Sequence, residues 1–531
     1  MRARCAIWCL SVSVFTAMAC APAAPSASTQ ANAGSQGQTP QAAAVQELVV
    51  GAPDDQFQSE LQPLKSRLGN YPISVNMCET LVRLGEDFSP QPLLATSWEL
   101  TGANTFRFHL RQGVRFWDGT PMTADDVKWS LDRTARGQQG YSFIGEDSTR
   151  VVDPQTVDVT PTEPNLRLVE QILHPTYAIM KNGSDLADQP MCTGPFKFVE
   201  YVKGERLVVQ RNADYRGEKA RLDKVTYRFF PDANTRLLAL QSGEIDFTMD
   251  LPREQVTALK NRPGYNVANA PVGRTMLMYL NIHGHEPYVL LQDPAVRQAI
   301  GYAIDRQTMV DKVWEGNAAV ISTMGPAEVL GDSAKLVQGF TYDPGKANQL
   351  LDAAGWVKGT DGIRSRDGKR LSIALIGWVE WDNQTLEFVQ SQLAGVGIEM
   401  KIVKTPDQAS YSKLLDAGEF DIDLEGPNQN DANPIFLPAL RFYSKATSKN
   451  MPYFAPGPVF DALVEQGSAA TVRSETQRSA GQAMHLLIDQ EAIVIPVAGL
   501  FRIYGMKSTV QGFRPHPSQT NQWWNTVWRS N

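Results

Sequence analysis

The sequence predicts an α/β protein divided into more than one lobe, and three observations carry that expectation. At 531 residues the chain is too long for one compact core and suggests two or three domains. Hydrophobic residues at 42% and charged residues at 20% are those of a globular protein, neither fibrous nor disordered. Through the second half, short runs with strand-like alternation take turns with runs of helical spacing, which favours a parallel or mixed sheet covered by helices.

The N-terminus reads as a secretory signal. Arg2 and Arg4 are basic, Ala6 to Ala17 is apolar or small, and Ala17-Met18-Ala19 offers small residues at a cleavage site. Residues 1–19 are too short for a stable membrane span. Cys20 stands directly after that site and is expected to carry lipid; an ordinary signal cleaved near Ala19 is the alternative. Residues 20–45 are rich in Ala, Ser, Gln, Pro and Gly without a periodic apolar face, and read as a flexible tether.

The stretch Phe106 to Arg133 is the most legible. Phe106-Arg107-Phe108-His109-Leu110 alternates like a strand with one buried face. Asp118-Gly119-Thr120-Pro121 has turn composition. Thr123-Ala124-Asp125-Asp126 opens a helix, with the Thr123 hydroxyl expected to accept from a backbone N–H while Asp126 reaches back. Before this stretch, Glu47 to Gly51 is a natural first strand, and Met77, Leu81 and Leu84 are spaced as on a short helix. After it, Val157 to Val159 is a strand, and Leu166 to Met180 reads as a helix interrupted at His174-Pro175. Leu240 to Asp246 marks a helix, a glycine stop and a strand. Met276 to Asn281 is a strand, and Asp293-Pro294 opens a helix with an Asp cap and Pro at its first position. Tyr342-Asp343-Pro344 to Trp356 repeats that signal. Ser372 to Gly377, Asn383 to Ala394 and Ile398 to Val403 read as strand, helix and strand. Ile493 to Val497 is apolar and carries Pro496.

The run LRQGVRFWDGTPMTADDVKWSL resembles the signature of family 5 bacterial extracellular solute-binding proteins, the dipeptide-, oligopeptide- and nickel-type receptors of ABC importers. Pro92 to Glu99 resembles the family's P-x-L-A-x-S-W-E element, and Thr193-Gly194-Pro195-Phe196 its T-G-P-[FY] element. Asn212 to Gly217 and Leu222 to Val225 follow in family order. The resemblance implies a periplasmic-binding-protein-like (type II) α/β fold of two lobes with an inserted extra subdomain. It places lobe I at 46–70, 189–275 and 497–531, the inserted subdomain at 71–188, and lobe II at 276–496. It also implies a monomer that binds a small-molecule or peptide ligand and delivers it to ABC permease subunits with their ATPases. The setting would be periplasmic or extracytoplasmic, with lipidated Cys20 as the only membrane attachment. Cys78 and Cys192, left in an oxidising compartment near the subdomain junctions, form a possible disulfide. Two free buried thiols are the preferred reading, because bridging needs Cα atoms within roughly 7 Å.

Catalytic signatures are missing from the chain. Gly345-Lys346 is followed by Ala347 and Gly368-Lys369 by Arg370, so no phosphate-binding P-loop exists. No G-x-S-x-G, H-E-x-x-H or C-x-x-C occurs, and His283-Gly284-His285 alone is a poor metal site. A formal charge of −7 without basic runs speaks against nucleic acid. These features favour a binding protein without cofactor or metal over a secreted enzyme. The candidate ligand-binding residues are Asn76, Trp378, Trp381, Gln408, Asn428, Asn430, Asp431 and Asn433. The two tryptophans could stack on a solute. In the loop Gly426 to Pro434, Asn430 stands where peptide-binding members of the family carry an aspartate for the α-ammonium, and Asp431 replaces it only if the loop shifts register. The loop therefore suits a peptide less well than a neutral polar solute; an oligosaccharide, opine or metal chelate stays open.

Overall fold

The computed structural model describes residues 45–53, 71–137, 144–162, 166–184, 190–270, 273–377, 383–429, 432–446, 451–518 and 521–530. Cys20, Trp378, Trp381, Asn430 and Asp431 lie outside them. From Val45 to Asn531 the chain forms one compact unit.

Two large sheets organise that unit. The first has seven strands in the order Tyr265–Asn269, Ile503–Lys507, Phe247–Thr248, Glu47–Ala52, Lys224–Phe229, Arg206–Arg211 and Phe196–Val202. The second has six, in the order Ala318–Ala319, Val494–Leu500, Arg274–Leu280, Ile422–Glu425, Ser372–Gly377 and Glu399–Lys404. Both are mixed. Glu47–Ala52 runs parallel to both of its neighbours, and so does Ser372–Gly377. Helices Pro294–Ala303, Pro344–Ala353, Asn383–Gly395 and Gln408–Ala417 place Val296, Ile300, Leu351, Leu386, Val389, Leu393 and Leu415 in one core with the six strands. The expected α/β architecture is present.

Local chemistry sets most of these elements. Asp293, Asp343 and Asp407 each accept from a backbone N–H of the turn they cap, at 3.0, 2.8 and 2.8 Å. Gly243, at φ 87°, ends helix Ala233–Ser242 in the left-handed conformation that lacks a Cβ clash. Strand Phe106–Leu110 buries Phe106, Phe108 and Leu110, as its alternation predicts. It belongs to a separate four-stranded antiparallel sheet with Ala95–Leu100, Thr156–Val159 and Thr149–Asp153. Asp126 reaches back to Thr123 N at 2.8 Å, as expected, but the Thr123 hydroxyl donates to the same carboxylate at 2.9 Å and does not cap the helix itself.

Two of the expected helices do not form. Asn76 to Leu84 is not a helix: a single turn, Tyr71–Ser74, precedes it, and Val82–Leu84 is a strand. Its backbone is engaged elsewhere, since Met77 O accepts from Gly194 N at 2.9 Å and Asn76 O from Phe196 N at 3.1 Å. Leu166 to Met180 holds only the turns Leu168–Gln171 and Pro175–Tyr177. His174 caps the second turn through Nδ1, which accepts from Thr176 N at 3.4 Å.

The contact between residues 76–79 and 192–196 joins the four-stranded region to the seven-stranded sheet. A Cβ on Gly194 would sit 2.2 Å from Met77 O, so only glycine allows the two backbones to meet. The Asn212 amide donates to Gly194 O at 3.0 Å. Cys78 and Cys192 are bridged across 5.0 Å between Cα atoms, which replaces the expected pair of free thiols. Beside them Glu79, with a fully buried side chain, accepts from both Arg216 Nη atoms at 2.6 and 2.8 Å, from Tyr215 at 2.8 Å and from Thr193 at 2.8 Å. The sequence elements that carry the family resemblance are thus fasteners of the frame.

Candidate ligand cleft

The two large sheets are linked by a double passage of the chain. Tyr265–Asn269 pairs antiparallel with Ile503–Lys507 in one sheet, and Arg274–Leu280 with Val494–Leu500 in the other. Between the ladders Ala270 N donates to Arg502 O at 2.8 Å. Arg502 is anchored on Asp250 by two hydrogen bonds of 2.6 and 3.0 Å. A Cβ on Gly273 would lie 2.1 Å from Pro517 O, so the passage is threaded tightly against the C-terminal segment.

The loop after strand Ile422–Glu425 lies against this passage. Arg274 Nε donates to Gly426 O at 3.1 Å, Thr275 N to Pro427 O at 3.1 Å, and Gln429 N to Gly273 O at 3.0 Å. The strand that feeds the loop carries a buried polar network. Tyr411 approaches Asp423 at 2.8 Å and Glu425 at 3.0 Å through one hydroxyl, and Arg441 donates to Glu425 at 2.8 Å. Burial, and then repulsion from Glu425, push the Asp423 carboxyl well above the usual carboxylate range. At the head of the strand Asp421 accepts from Ala374 N at 2.7 Å with one oxygen, while the other has no partner. Burial pushes its pKa up to about 6.

The raised Asp421 value makes stability depend on pH. The folded protein holds the Asp421 proton over a pH range in which the unfolded chain, at its ordinary carboxylate value, has released it. Stability is therefore full below about pH 4 for this group and falls as pH rises through about 6. Asp421→Asn is expected to raise stability at pH 7 by up to about 3 kcal/mol and to leave it unchanged at pH 4. Urea unfolding at the two pH values checks this, and an equal effect at both would refute it.

Two seams join parts distant in sequence: one ties the four-stranded region to the lobe of the six-stranded sheet, the other ties the seven-stranded lobe to that same lobe. On one side Arg473 donates to Ala432 O at 2.6 Å and to Phe88 O at 3.1 Å, and Arg167 donates to Ala470 O. Glu170, buried, pairs with Arg167 at 2.9 Å and lies 3.9 Å from Arg473, while its carbonyl accepts from Ala432 N at 3.2 Å. Burial raises the Glu170 pKa and the two arginines oppose it. On the other side Arg253 lies 4.5 Å over the Trp314 ring and reaches Gln384 at 3.5 Å.

The predicted ligand residues divide accordingly. Asn76 is fully buried and serves the frame: its amide donates to Gln522 O at 2.7 Å and its oxygen accepts from Trp524 N at 2.9 Å. Gln408 is an exposed first residue of its helix, donating to Ser412 at 3.4 Å. Asn428 is half-buried and bridged to Arg274 beside the passage. Asn433 is buried, its side-chain oxygen accepting from Ile435 N at 3.2 Å and so shaping the loop's exit. Among the described candidates, Asn428 and Asn433 are thus brought to one loop. The seam residues Arg167, Glu170, Arg253 and Arg473 are not foreseen from the sequence, because no local pattern marks them. Among the described residues no group of three His, Cys, Asp or Glu is placed to hold a metal ion, and no helix is long and apolar enough to cross a membrane.

Comparison with known proteins agrees with this architecture. The family model of bacterial extracellular solute-binding proteins, family 5 Middle, matches residues 89–449. The glutathione-binding protein GsiB of Salmonella typhi is 29% identical over 378 residues, 68% of each chain. The GsiB of Escherichia coli K12 is 27% identical over 376 residues, again 68% of each. The structure of NikA from Brucella suis in complex with Fe(III)-EDTA superposes with a TM-score of 0.80 at 25% identity, over 91% of this chain and all of that one. The periplasmic binding protein DppA of Helicobacter pylori, in complex with the peptide STSA, shares the fold at a TM-score of 0.68 and 23% identity, over 91% and 98% of the chains. The chain belongs to the bacterial extracellular solute-binding proteins of family 5, and it is a two-lobed solute-binding protein of the ABC-transporter type, not an enzyme.

Proposed function

We propose that the protein is a lipid-anchored receptor that closes its two lobes over a small polar solute and hands it to the permease of an ABC importer. The observation that carries this reading is the loop Gly426–Pro434, bonded to the passage between the lobes at Gly273, Arg274 and Thr275. A ligand that touches both lobes favours the closed arrangement, since only there are all its contacts made. We place the inserted subdomain at 71–188 and the lobe limits at 270–273 and 501–502. These limits lie a few residues outside 276 and 496, because Arg274–Leu280 and Val494–Leu500 sit whole in the six-stranded sheet. The receptor acts as a monomer, with its partners the permease and associated ATPases. Cys20 is the proposed anchor; Cys20→Ser should free the protein from membranes or leave it unprocessed, and unchanged membrane partitioning would refute the anchor.

Peptide-like solutes head the candidates, because the curated relatives are glutathione-binding proteins. A second reading, a neutral or chelate-type solute, is supported by Asn430, which leaves the loop without a charge at the position expected for an ammonium partner. Thermal-shift screening against glutathione, free dipeptides, oligosaccharides, opines and Fe(III)-EDTA tests both. A true ligand at one hundred times its Kd stabilises the folded state by about 2.7 kcal/mol. Absence of any shift across these classes would remove the small-polar-solute reading, while tight binding of free dipeptides that survives Asp431→Asn would overturn the second reading.

A further inference from the structure

Six arginines are buried among the described residues: Arg133, Arg167, Arg236, Arg297, Arg306 and Arg364. Five are capped from within the chain. Arg167 meets Glu170 and Ala470 O, and Arg236 meets the carbonyls of Phe230, Pro231, Met249 and Asp250. Arg297 meets Glu491 and the carbonyls of Leu291 and Gln292. Arg306 meets Pro496 O, and Arg364 meets Asp352, Asn348, Trp356 O and Val396 O. Arg133 differs. It is 8% exposed, yet Nε, Nη1 and Nη2 all lack a hydrogen-bond partner.

The surroundings of Arg133 are those of a caged cation. Its guanidinium lies 5.7 Å from the Trp129 ring, one turn earlier on helix Ala124–Gly137. The same helix is held from beneath by Ser130, whose hydroxyl donates to Met180 O at 3.0 Å, and by Thr134, which donates to Thr176 O at 3.2 Å. These bonds tie that helix to the segment Thr176 to Met180. The charged neighbour that acts on it is Arg136, of the same sign, and burial together with that repulsion pulls the Arg133 pKa down to about 10. At that value the group is still a cation at neutral pH. A buried, fixed guanidinium with five donors and no acceptor costs several kcal/mol unless an anion meets it.

We propose that Arg133 is the base of an anion subsite in the inserted subdomain, taking one small oxyanion, a carboxylate or an inorganic phosphate-class ion, from outside the chain. The fork of the guanidinium matches two oxygens of such an ion side by side. The subsite is independent of which solute the cleft takes.

The test uses the full folded chain at constant ionic strength, with sodium phosphate, sodium acetate or sodium chloride as probe. Phosphate or acetate should raise Tm in a saturating manner, at one hundred times Kd by an amount equal to about a hundredfold in the folding equilibrium. Chloride should not. A response to acetate and not phosphate assigns the subsite to carboxylates; the reverse assigns it to inorganic oxyanions. In Arg133→Met, which keeps the volume and removes the charge, the response should vanish and the anion-free protein should be at least as stable as wild type. Arg136→Gln should keep the response. An undiminished anion response in Arg133→Met overturns the proposal. So does marked destabilisation of both Arg133→Met and Arg133→Gln, because the guanidinium would then have partners in the chain. Calorimetric titration of unaltered protein with phosphate and acetate stands apart from any folding defect, and failure of both to bind would equally overturn it.

Discussion

Arg216→Ala is expected to destabilise the protein by about 3–5 kcal/mol, as removal of one partner from a buried ion pair does. Four donor contacts converge on the Glu79 carboxylate, which is sealed from solvent, and two of them come from Arg216. Removing the guanidinium leaves a buried charge met only by the hydroxyls of Tyr215 and Thr193. Those two neutral donors do not offset the lost solvation. The substitution also strips the cation from the Tyr215 ring, 5.3 Å away. Urea unfolding should show a lower midpoint with an unchanged slope. Glu79→Gln/Arg216→Met, which removes both charges, should cost clearly less than Arg216→Ala. A loss below about 1 kcal/mol for Arg216→Ala would mean that the pair is not formed in solution.

The second large effect is loss of the Cys78–Cys192 bridge. It closes a loop with a sequence separation of 114, for which the chain-entropy estimate approaches 5 kcal/mol and measured losses run from about 2 to 5. Cys78→Ser/Cys192→Ser should therefore lower the unfolding midpoint by an amount comparable with Arg216→Ala. The two losses should not add, because Cys78 adjoins Glu79 and Cys192 adjoins Thr193 in one packed junction. Thiol titration of the denatured protein, before and after reductant, checks the bond itself. Two extra thiols must appear on reduction, and their absence would exclude it.

Elements defined by neighbours in sequence were legible. The caps Asp293 and Asp343, the Gly243 stop and the alternation of Phe106 to Leu110 each report chemistry confined to a few residues, and each gives the expected element. The spacing of Met77, Leu81 and Leu84 misled because their burial has another source. Their segment is pinned to residues 192–196, and beyond the Cys78 N to Ser74 O bond it does not continue as a helix. The cleft was legible only as a loop with a promising composition. Its seams join Arg167 to Ala470 and Arg473 to Phe88, 303 and 385 positions apart, and no local pattern encodes such pairs. Asn76 shows the converse: a polar residue that looks available in sequence is fully committed once the C-terminal segment returns to Gln522 and Trp524.

The double passage between the sheets has a mechanical consequence. Two antiparallel ladders, Tyr265–Asn269 with Ile503–Lys507 and Arg274–Leu280 with Val494–Leu500, lock the register of the same two chain segments on either side of it. Sliding one segment along the other would break both ladders at once and turn buried side chains to the wrong face. Shear is thus a stiff coordinate, and bending about Phe501–Arg502 is the soft one. The proposed binding loop is bonded at Gly273, Arg274 and Thr275, at the foot of one ladder, so it acts as a short lever arm fixed close to the pivot. Small rotations there displace the loop little and the far rims of the lobes much more. The loop, which Arg473 also holds through Ala432 O, therefore shifts little as the lobes bend.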